Sequence, residues 1–330
     1  MVINQIGKQL VFVTSILIGS TSWSSDSTLP EHITFESAGR PEGQPMVLIP
    51  AELHLPSSDN SSFPAVVLVH GSGGMGDRER WYAKEFTARG YAAIIIDSFK
   101  PRGVTSTVAN QSAVPEQYMI RDAFGALQYL AKNKKIDTSR IGVMGFSKGG
   151  IVALRSSLQI VTNRSNQAQG TTLNFAFHIP FYPGCNIQHR NTSTTGKPVL
   201  VMLGELDDYT PPKPCIEYVE RLKEGNTRVE YHVVAGAYHG WENGTGPYYL
   251  GQAETIRHCV YFVEDDGSPT LVRDKEGKSI SPLPIPKHEA LSHYQNECRV
   301  YGGTVYGGTP EMRRKALEEV FAFLKKHGLP

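Results

Sequence analysis

The serine at position 147 has the surroundings of a catalytic nucleophile. It lies in the run GFSKGG at residues 145–150, directly after an apolar stretch and at the start of a helix-like one. In a strand–turn–helix setting, the pattern G-x-S-x-G forms a sharp turn that lifts the hydroxyl above a sheet, and the glycines on either side leave room for that turn. The pattern alone is common in proteins, so the evidence is its position between a strand-like and a helix-like stretch. We expect Ser147 to attack an acyl carbonyl.

Such an attack puts negative charge on the carbonyl oxygen, which backbone amides can stabilise. The helix that follows the serine offers the amide of Lys148. The run HGSGG at residues 70–74 follows another apolar stretch, and we expect Ser72 to supply the second amide of this oxyanion hole. The alternatives for this run are an ordinary strand-to-helix turn and a phosphate-binding loop. A phosphate loop would need Lys and Ser/Thr at fixed offsets that are missing here.

Two further motifs offer an acid and a base. The run GELDDYTP at 204–211 places Asp207 and Asp208 after an apolar stretch, and GAYHGW at 236–241 places His239 after another. We favour Asp207 as the carboxylate that orients the histidine, whereas Asp208 could cap the next turn. The order serine, aspartate, histidine along the chain is the order of the α/β-hydrolase fold. The sequence therefore predicts a triad of Ser147, Asp207 and His239.

The elements that must position these residues alternate between strands and helices. Apolar runs predict strands at residues 65–70, 92–97, 140–145, 176–181 and 198–203. A more polar run at 228–234 predicts a further strand, and the segments 33–36 and 46–55 could add two edge strands. Helical spacing predicts helices at 78–89, 116–133, 148–158, 213–224 and 310–327. Because the strand runs are continuously apolar, we expect an α/β fold with a mostly parallel central sheet that helices cover on both faces.

Residues 243–306 do not fit this alternation. They separate the last strand from the last helix and are rich in Gly, Pro and Tyr. An unstructured loop of that length is unusual, and two short apolar runs at 259–264 and 270–273 predict a hairpin. We interpret the segment as an insertion into one hydrolase domain. Its aromatic residues and one before it could contact substrate: Trp241, Tyr248, Tyr249 and Tyr261. The alternative is a surface hairpin that covers an edge of the sheet.

The composition argues against several classes of partner. The chain has 330 residues, a formal net charge of +1, 40% hydrophobic and 20% charged residues, and no basic run. Nucleic acids and anionic membranes are therefore poor candidate partners, and a small-molecule substrate is expected. None of the motifs calls for a metal or an organic cofactor.

The first residues resemble an export signal. Lys8 precedes the apolar run LVFVTSILIG at 10–19, which is too short to span a bilayer, and small residues follow it. We expect residues 1–24 to be a signal peptide, residues 25–330 to form one hydrolase domain, and the mature protein to be periplasmic or secreted. Four cysteines in an exported chain predict two disulfides, with three possible pairings.

The motifs together resemble those of the dienelactone hydrolase family, in particular its exported relatives with a serine nucleophile. The resemblance covers residues 46–324 and rests on PAVVLVHGSGG, IIIDSFKPRG, IRDAFGALQYL, RIGVMGFSKGG, FYPGC, GELDDYTPPKPC and GAYHGW. It implies the α/β-hydrolase fold and the same triad. It also implies a disulfide between Cys185 and Cys215, which leaves Cys259 to pair with Cys298.

The chain departs from the namesake enzymes, which use a cysteine nucleophile. The resemblance therefore implies a fold and a mechanism rather than dienelactone as the substrate. We expect hydrolysis of a carboxylic ester or a lactone through an acyl-enzyme. Three alternatives remain open on the sequence: cleavage of an amide or peptide, acyl transfer to an acceptor other than water, and a non-catalytic binding protein of the same fold.

Overall fold

An eight-stranded sheet forms the centre of the computed structural model, which describes residues 29–39, 46–57, 62–225, 228–243 and 246–329. Its strands are β1 Glu31–Glu36, β2 Leu48–His54, β3 Phe63–Val69, β4 Ala92–Ile96, β5 Ile136–Phe146, β6 His178–Phe181, β8 Val199–Gly204 and β9 Val229–Val234; β7, Ile187–His189, belongs to a second sheet. The order across the sheet is β1-β2-β4-β3-β5-β6-β8-β9. The pairs β1–β2 and β2–β4 are antiparallel, and every other pair is parallel.

Helices cover both faces of this sheet, as the apolar strands predict. They are α1 Asp77–Thr87, α2 Glu116–Ala131, α3 Lys148–Arg155, α4 Gln159–Gln169, α5 Pro212–Gly225, α6 Ala290–His293 and α7 Pro310–Lys326. Alternate residues of β3 show the two layers: Val67 and Val69 pack with residues of α2 and α3, whereas Val66 and Leu68 pack with residues of α1 and α7. The predicted α/β class is confirmed.

The helix that follows the nucleophile differs from its prediction. We expected one helix over 148–158, but α3 ends at Arg155 and a second helix, α4, begins at Gln159. The sequence of α4, QIVTNRSNQAQ, is polar on most of its surface and buries little besides Thr162 and Ser165. It has no apolar stripe, which is why hydrophobic periodicity missed it.

Short strands organise the 243–306 segment: β10 Tyr248–Tyr249, β11 Glu254–Thr255, β12 Val260–Val263, β13 Pro269–Arg273, β14 Ser279–Pro284, β15 Val300–Tyr301 and β16 Thr304–Val305. The predicted hairpin is β12 and β13. It belongs to a second sheet with the order β14-β13-β12-β7, in which β12 runs parallel to β7. Because β7 lies between β6 and β8 along the chain, backbone hydrogen bonds fasten the segment to the central domain.

Both disulfides have the expected pairing in the structure, Cys185 with Cys215 and Cys259 with Cys298. The first links the loop after β6 to α5. The second lies in a small core within the 243–306 segment, with Tyr261, Leu271 and Ile285. The expected signal peptide at 1–24 lies outside the described residues. In the part of the chain that is described, no helix is both long and apolar enough to cross a membrane.

Removing the Cys259–Cys298 disulfide should destabilise the 243–306 segment. The bond closes a loop with a sequence separation of 39 residues, for which the chain-entropy model gives about 4 kcal/mol. We expect Cys259→Ser with Cys298→Ser to lower the free energy of unfolding by up to about that amount. Urea denaturation measures the loss, and amide hydrogen exchange should locate it in residues 246–306. Unchanged exchange in this region would contradict the prediction.

Candidate active site

Ser147 occupies a strained turn between β5 and α3. Its backbone angles are φ 54° and ψ −113°, a conformation that L-residues rarely adopt. The turn brings backbone segments close together: a Cβ on Gly145 would lie 2.1 Å from the carbonyl oxygen of Gly149, and a Cβ on Gly149 would lie 2.1 Å from that of Val69. Neither position can therefore carry a side chain. The glycines of the motif allow the contact that exposes the Ser147 hydroxyl.

The three residues of the predicted triad lie in hydrogen-bonding contact. The Ser147 Oγ is 2.9 Å from Nε2 of His239, and Nδ1 of the same ring is 2.8 Å from Oδ2 of Asp207. All three side chains are buried. If Nδ1 carries the proton, it donates to Asp207 and leaves Nε2 as the acceptor for the serine hydroxyl. This geometry suits proton transfer from serine to histidine.

The Asp207 carboxylate is held on all sides by its own loop. Its Oδ1 accepts hydrogen bonds from the amides of Tyr209, at 3.0 Å, and Thr210, at 2.7 Å. The Thr210 hydroxyl donates to Oδ2 at 2.9 Å and also lies 3.0 Å from Nδ1 of His239. Thr210 was not foreseen from the sequence, although its place three residues after a strand-end aspartate is a recognisable capping position.

The two adjacent aspartates have different hydrogen-bond partners in the structure. Asp208 turns toward the 243–306 segment, where its Oδ1 accepts from the Thr304 amide at 2.6 Å and its Oδ2 from the Thr304 hydroxyl at 3.0 Å. Its backbone carbonyl accepts from Arg257 at 3.1 Å. Asp208 therefore anchors the segment, while Asp207 contacts the histidine.

Two tyrosine rings hold the His239 imidazole edge-on, Tyr182 at 4.7 Å and Tyr209 at 4.8 Å between ring centres. The Tyr182 hydroxyl donates to the carboxylate of Glu242, which is fully buried. Arg78 lies against both: its guanidinium donates to the Tyr182 hydroxyl at 3.3 Å and is 3.8 Å from Glu242. Packing from both sides fixes the plane of the imidazole.

This buried cluster of Arg78, Glu79, Tyr182 and Glu242 escaped the sequence analysis. Arg78 also forms a 2.6 Å ion pair with Glu79, so the guanidinium compensates two buried carboxylates. Burial raises the pKa of Glu242, and the neighbouring guanidinium and the tyrosine hydroxyl oppose that rise. The sequence offers little indication of this cluster, because Glu242 simply lies one residue after the motif GAYHGW.

The two amides proposed for the oxyanion hole are free to donate. Neither the Ser72 amide nor the Lys148 amide donates to another described residue. Lys148 is the first residue of α3, where an amide has no acceptor within its helix. The carbonyl of Ser72, in the next peptide unit, accepts from the Thr107 amide at 2.8 Å and the Ser106 hydroxyl at 3.1 Å.

A hydrogen-bond network centred on Gln111 joins these parts. The Lys148 ammonium donates to the carbonyl of Gln111 at 2.6 Å and to its Oε1 at 3.2 Å. The same Oε1 accepts from the Ser72 hydroxyl at 3.0 Å, and Nε2 donates to the Tyr209 hydroxyl at 3.0 Å. Burial lowers the pKa of Lys148, and the negative charge of Glu116 opposes that fall. No pattern in the sequence marks Gln111.

A cavity of about 580 Å³ opens above Ser147, between the central domain and the 243–306 segment. Its lining includes Ser72, Gln111 and Lys148 of the central domain, next to Ser147, and Ile256, Leu291 and Tyr294 of the 243–306 segment, among others. Within the described ranges, no three His, Cys, Asp or Glu side chains are grouped so as to hold a metal ion.

The aromatic residues expected to contact substrate do not line this cavity, and that expectation is corrected. Trp241 is 0% exposed and packs on the rings of Phe181 and Tyr182 in the core. Tyr248 and Tyr249 lie on the exposed strand β10, 46% and 63% exposed. Tyr261 fills the core of the 243–306 segment beside Cys298. Aromatic rings near a motif serve packing as readily as binding, which sequence cannot distinguish.

Comparison with known proteins places the chain in a family. Its sequence matches the model of the dienelactone hydrolase family over residues 50–258, more than half of the chain. Cutinase 2 of Thermobifida cellulosilytica is 26% identical over 153 residues, which are 46% of this chain and 51% of that protein. A Bradyrhizobium protein named "Probable 2-oxo-3-(5-oxofuran-2-ylidene)propanoate lactonase" is 22% identical over 184 residues, 54% of this chain and 73% of its own. The chain spans about half the length of the cutinases it matches.

Solved structures of similar shape include esterase 2 of Thermogutta terrifontis with propionate bound, at 18% identity and a TM-score of 0.49, covering 63% of this chain and 85% of that one. The α/β hydrolase MGS-M1 from a Medee basin deep-sea metagenome library has 22% identity and a TM-score of 0.48, covering 66% and 86%. The family match at 50–258 includes the positions of Ser147, Asp207 and His239. This chain belongs to the dienelactone hydrolase family.

Proposed function

We propose that this chain is a serine hydrolase that cleaves carboxylic esters or lactones through an acyl-enzyme. The observation that carries the proposal is the unbroken line of contacts from Ser147 through His239 to Asp207, at 2.9 and 2.8 Å. The family of the chain, and relatives named as cutinases and a lactonase, support an ester or lactone bond as the target.

In the first half of the reaction, the Ser147 Oγ bonds to the acyl carbon while its proton passes to Nε2 of His239. The electron pair of the carbonyl moves to its oxygen, which receives hydrogen bonds from the amides of Lys148 and Ser72. Asp207 accepts from Nδ1 throughout, which fixes the tautomer of the ring and stabilises its positive charge.

In the second half, the tetrahedral intermediate collapses, the bond to the leaving oxygen breaks, and His239 gives its proton to that oxygen. Water then attacks the acyl-enzyme, His239 takes a proton from it, and the acid leaves as Ser147 regains its hydrogen. A lactone follows the same steps, except that the alcohol and the acid stay in one molecule.

The network around Gln111 has a positioning role in this scheme. The Ser72 amide can act only if it faces the oxyanion, and two residues of the 104–113 loop hold the adjoining Ser72–Gly73 peptide by its carbonyl. The Lys148 ammonium fastens the same loop through Gln111. Lys148 thus contributes twice, with its amide as a donor and with its side chain as an anchor for the opposite donor.

We further propose that the protein works outside the cytoplasm as one hydrolase domain. Two disulfides support an oxidising environment. The apolar run at residues 10–19 supports export through a signal peptide at 1–24.

Replacing the nucleophile should abolish turnover and leave the fold intact. We expect Ser147→Ala to lower kcat on para-nitrophenyl acetate by more than about a thousand-fold, because no other group can form the acyl-enzyme. A fluorophosphonate probe should label the native protein and not the variant. Circular dichroism checks folding. Hydrolysis close to the native rate by the folded variant would refute the proposal.

The two adjacent aspartates form a matched pair for testing the acid. Asp207→Asn should lower kcat by about ten-thousand-fold, because the amide would favour the wrong tautomer of His239. Asp208→Asn should change kcat little and instead weaken the attachment of Thr304. Steady-state kinetics of both variants on one ester decides between them. A larger loss for Asp208→Asn would reverse the assignment.

The positioning role of Gln111 predicts an effect on kcat rather than on KM. Gln111→Ala removes partners of Ser72, Lys148 and Tyr209, so we expect kcat to fall by about ten-fold and stability by about 1–2 kcal/mol. Gln117, which also lines the cavity and is exposed, offers the control. Gln117→Ala should leave kcat unchanged. An equal effect of both variants would contradict the positioning role.

A further inference from the structure

One face of α3 forms the floor of the cavity that leads away from the nucleophile. Ser147, Ile151 and Arg155 all line it. They are spaced four residues apart, so they lie in one row along the helix. The rise of eight helical residues puts the Arg155 backbone about 12 Å from that of Ser147. The cavity is therefore an elongated cleft with the nucleophile at one end and a guanidinium at the other.

The opposite wall belongs to the 243–306 segment. Ala290, Leu291, Tyr294 and Gln295 line the cleft, and their spacing places them on one face of the helical stretch that begins with α6. This stretch ends at Cys298, which the disulfide ties to Cys259. Leu291 is 53% exposed, so its side chain is accessible to a ligand in the cleft.

Arg155 lies at the outer end of this cleft and uses few of its N–H donors. It is half-buried and donates from one nitrogen to the Ile187 carbonyl at 3.1 Å, although a guanidinium has five N–H groups. No carboxylate of the described residues forms an ion pair with it. The other cation of the outer end, Lys287, is 3.5 Å from Asp266 and is therefore already paired.

The charges around the cleft differ between its two ends. The acidic lining residues Glu116 and Glu254 both act on Lys148, beside the nucleophile. At the outer end, the pKa of His189 is lowered to about 4, first by burial and then by the positive charges of Arg155 and Arg164. Glu116 also acts on Tyr294, but more weakly than Arg155 does. The positive charge of Arg155 therefore acts on two residues of the outer end, His189 and Tyr294.

The position of His239 tells which part of a substrate enters the cleft. His239 does not line it, whereas Ser147 and Lys148 do. In the mechanism above, the leaving oxygen must lie against His239 to receive its proton. With the leaving oxygen at His239, the cleft along α3 offers space for the acyl group that is bonded to Ser147.

We propose that the cleft between α3 and the 290–295 stretch is an acyl-binding subsite, in which Leu291 and Tyr294 cover an extended chain and Arg155 binds an anionic group, such as a carboxylate, at its far end. This inference rests on the proposed esterase function and names its substrate class: esters of long acids that carry a terminal anion. A charge-assisted, bidentate contact to a carboxylate is the interaction for which a guanidinium is best suited.

Matched esters test the proposal on the full chain. We would compare para-nitrophenyl hydrogen sebacate with its terminal methyl ester, and extend the pair from adipate to dodecanedioate. The native protein should favour the free carboxylate, most strongly at one intermediate chain length, and salt should weaken the preference. Arg155→Gln should reduce the ratio of the two kcat/KM values by about ten-fold, the lower range for a hydrogen bond to a charged group.

Three controls accompany this comparison. Para-nitrophenyl acetate, whose acyl group does not reach the outer end, measures any effect of Arg155→Gln that is unrelated to the terminal anion. Arg314 is exposed on α7 and does not line the cleft, so Arg314→Gln should keep the native preference. Leu291→Ala should reduce kcat/KM for both long esters equally. An unchanged ratio in Arg155→Gln would overturn the proposal and leave Arg155 as a structural link to the Ile187 carbonyl.

A binding measurement separates this proposal from the esterase proposal. Calorimetry with the Ser147→Ala variant measures the Kd of both sebacate esters without turnover. We expect the free carboxylate to bind about ten-fold more tightly, and adding Arg155→Gln should remove the difference. If the native protein hydrolyses no ester but this difference persists, the esterase proposal fails and the subsite stands. If the native protein hydrolyses esters but the difference is absent, the subsite fails.

Discussion

The site depends on one close contact between backbones. At the end of β5 the chain turns so sharply that Gly149 lies against the carbonyl of Val69, the last residue of β3. A side chain at Gly149 would push the two strands apart. The contact thereby sets the distance between the turn at Ser147 and the loop that leaves β3, which carries Ser72. Backbone packing thus brings Ser147 and the amides of Ser72 and Lys148, the proposed nucleophile and oxyanion donors, into one place before any side chain contributes.

The residues that sequence could identify are those whose chemistry requires one residue type in one local setting. A serine between glycines after a strand and a histidine in a glycine-flanked loop meet that condition. Gln111 does not, because its role comes from reaching Lys148, Ser72 and Tyr209, which are distant in sequence. Strand β7 was missed for a similar reason, since three residues form a strand only when β12 is beside them.

The aromatic residues are the reverse case, in which sequence pointed to substrate contacts and the structure shows other surroundings. Trp241 was expected in the substrate pocket because it follows His239 by two positions, yet its indole is in the core. Beneath the imidazole, Tyr182, Glu242 and Arg78 form a buried polar cluster, which costs free energy to desolvate and is stable only with every partner present. The buried Trp241 ring packs against Tyr182 of that cluster and stacks on Phe181. A residue that is close in sequence to a reactive one can therefore pack beneath the site in the core as readily as it can contact substrate.

The pairing of β12 with β7 has a consequence for the shape that a substrate meets. Many hydrolases open and close a mobile cap, and the motion of that cap can limit the rate. Here β12 of the segment pairs with β7 of the central domain, and Asp208 holds a different strand of the segment, β16, at Thr304. The segment is therefore joined to the central domain by backbone pairing as well as by side chains. The cleft wall that it carries belongs to the fold itself, and a substrate meets a shape that is set by strand pairing rather than by a cap joined only through loops.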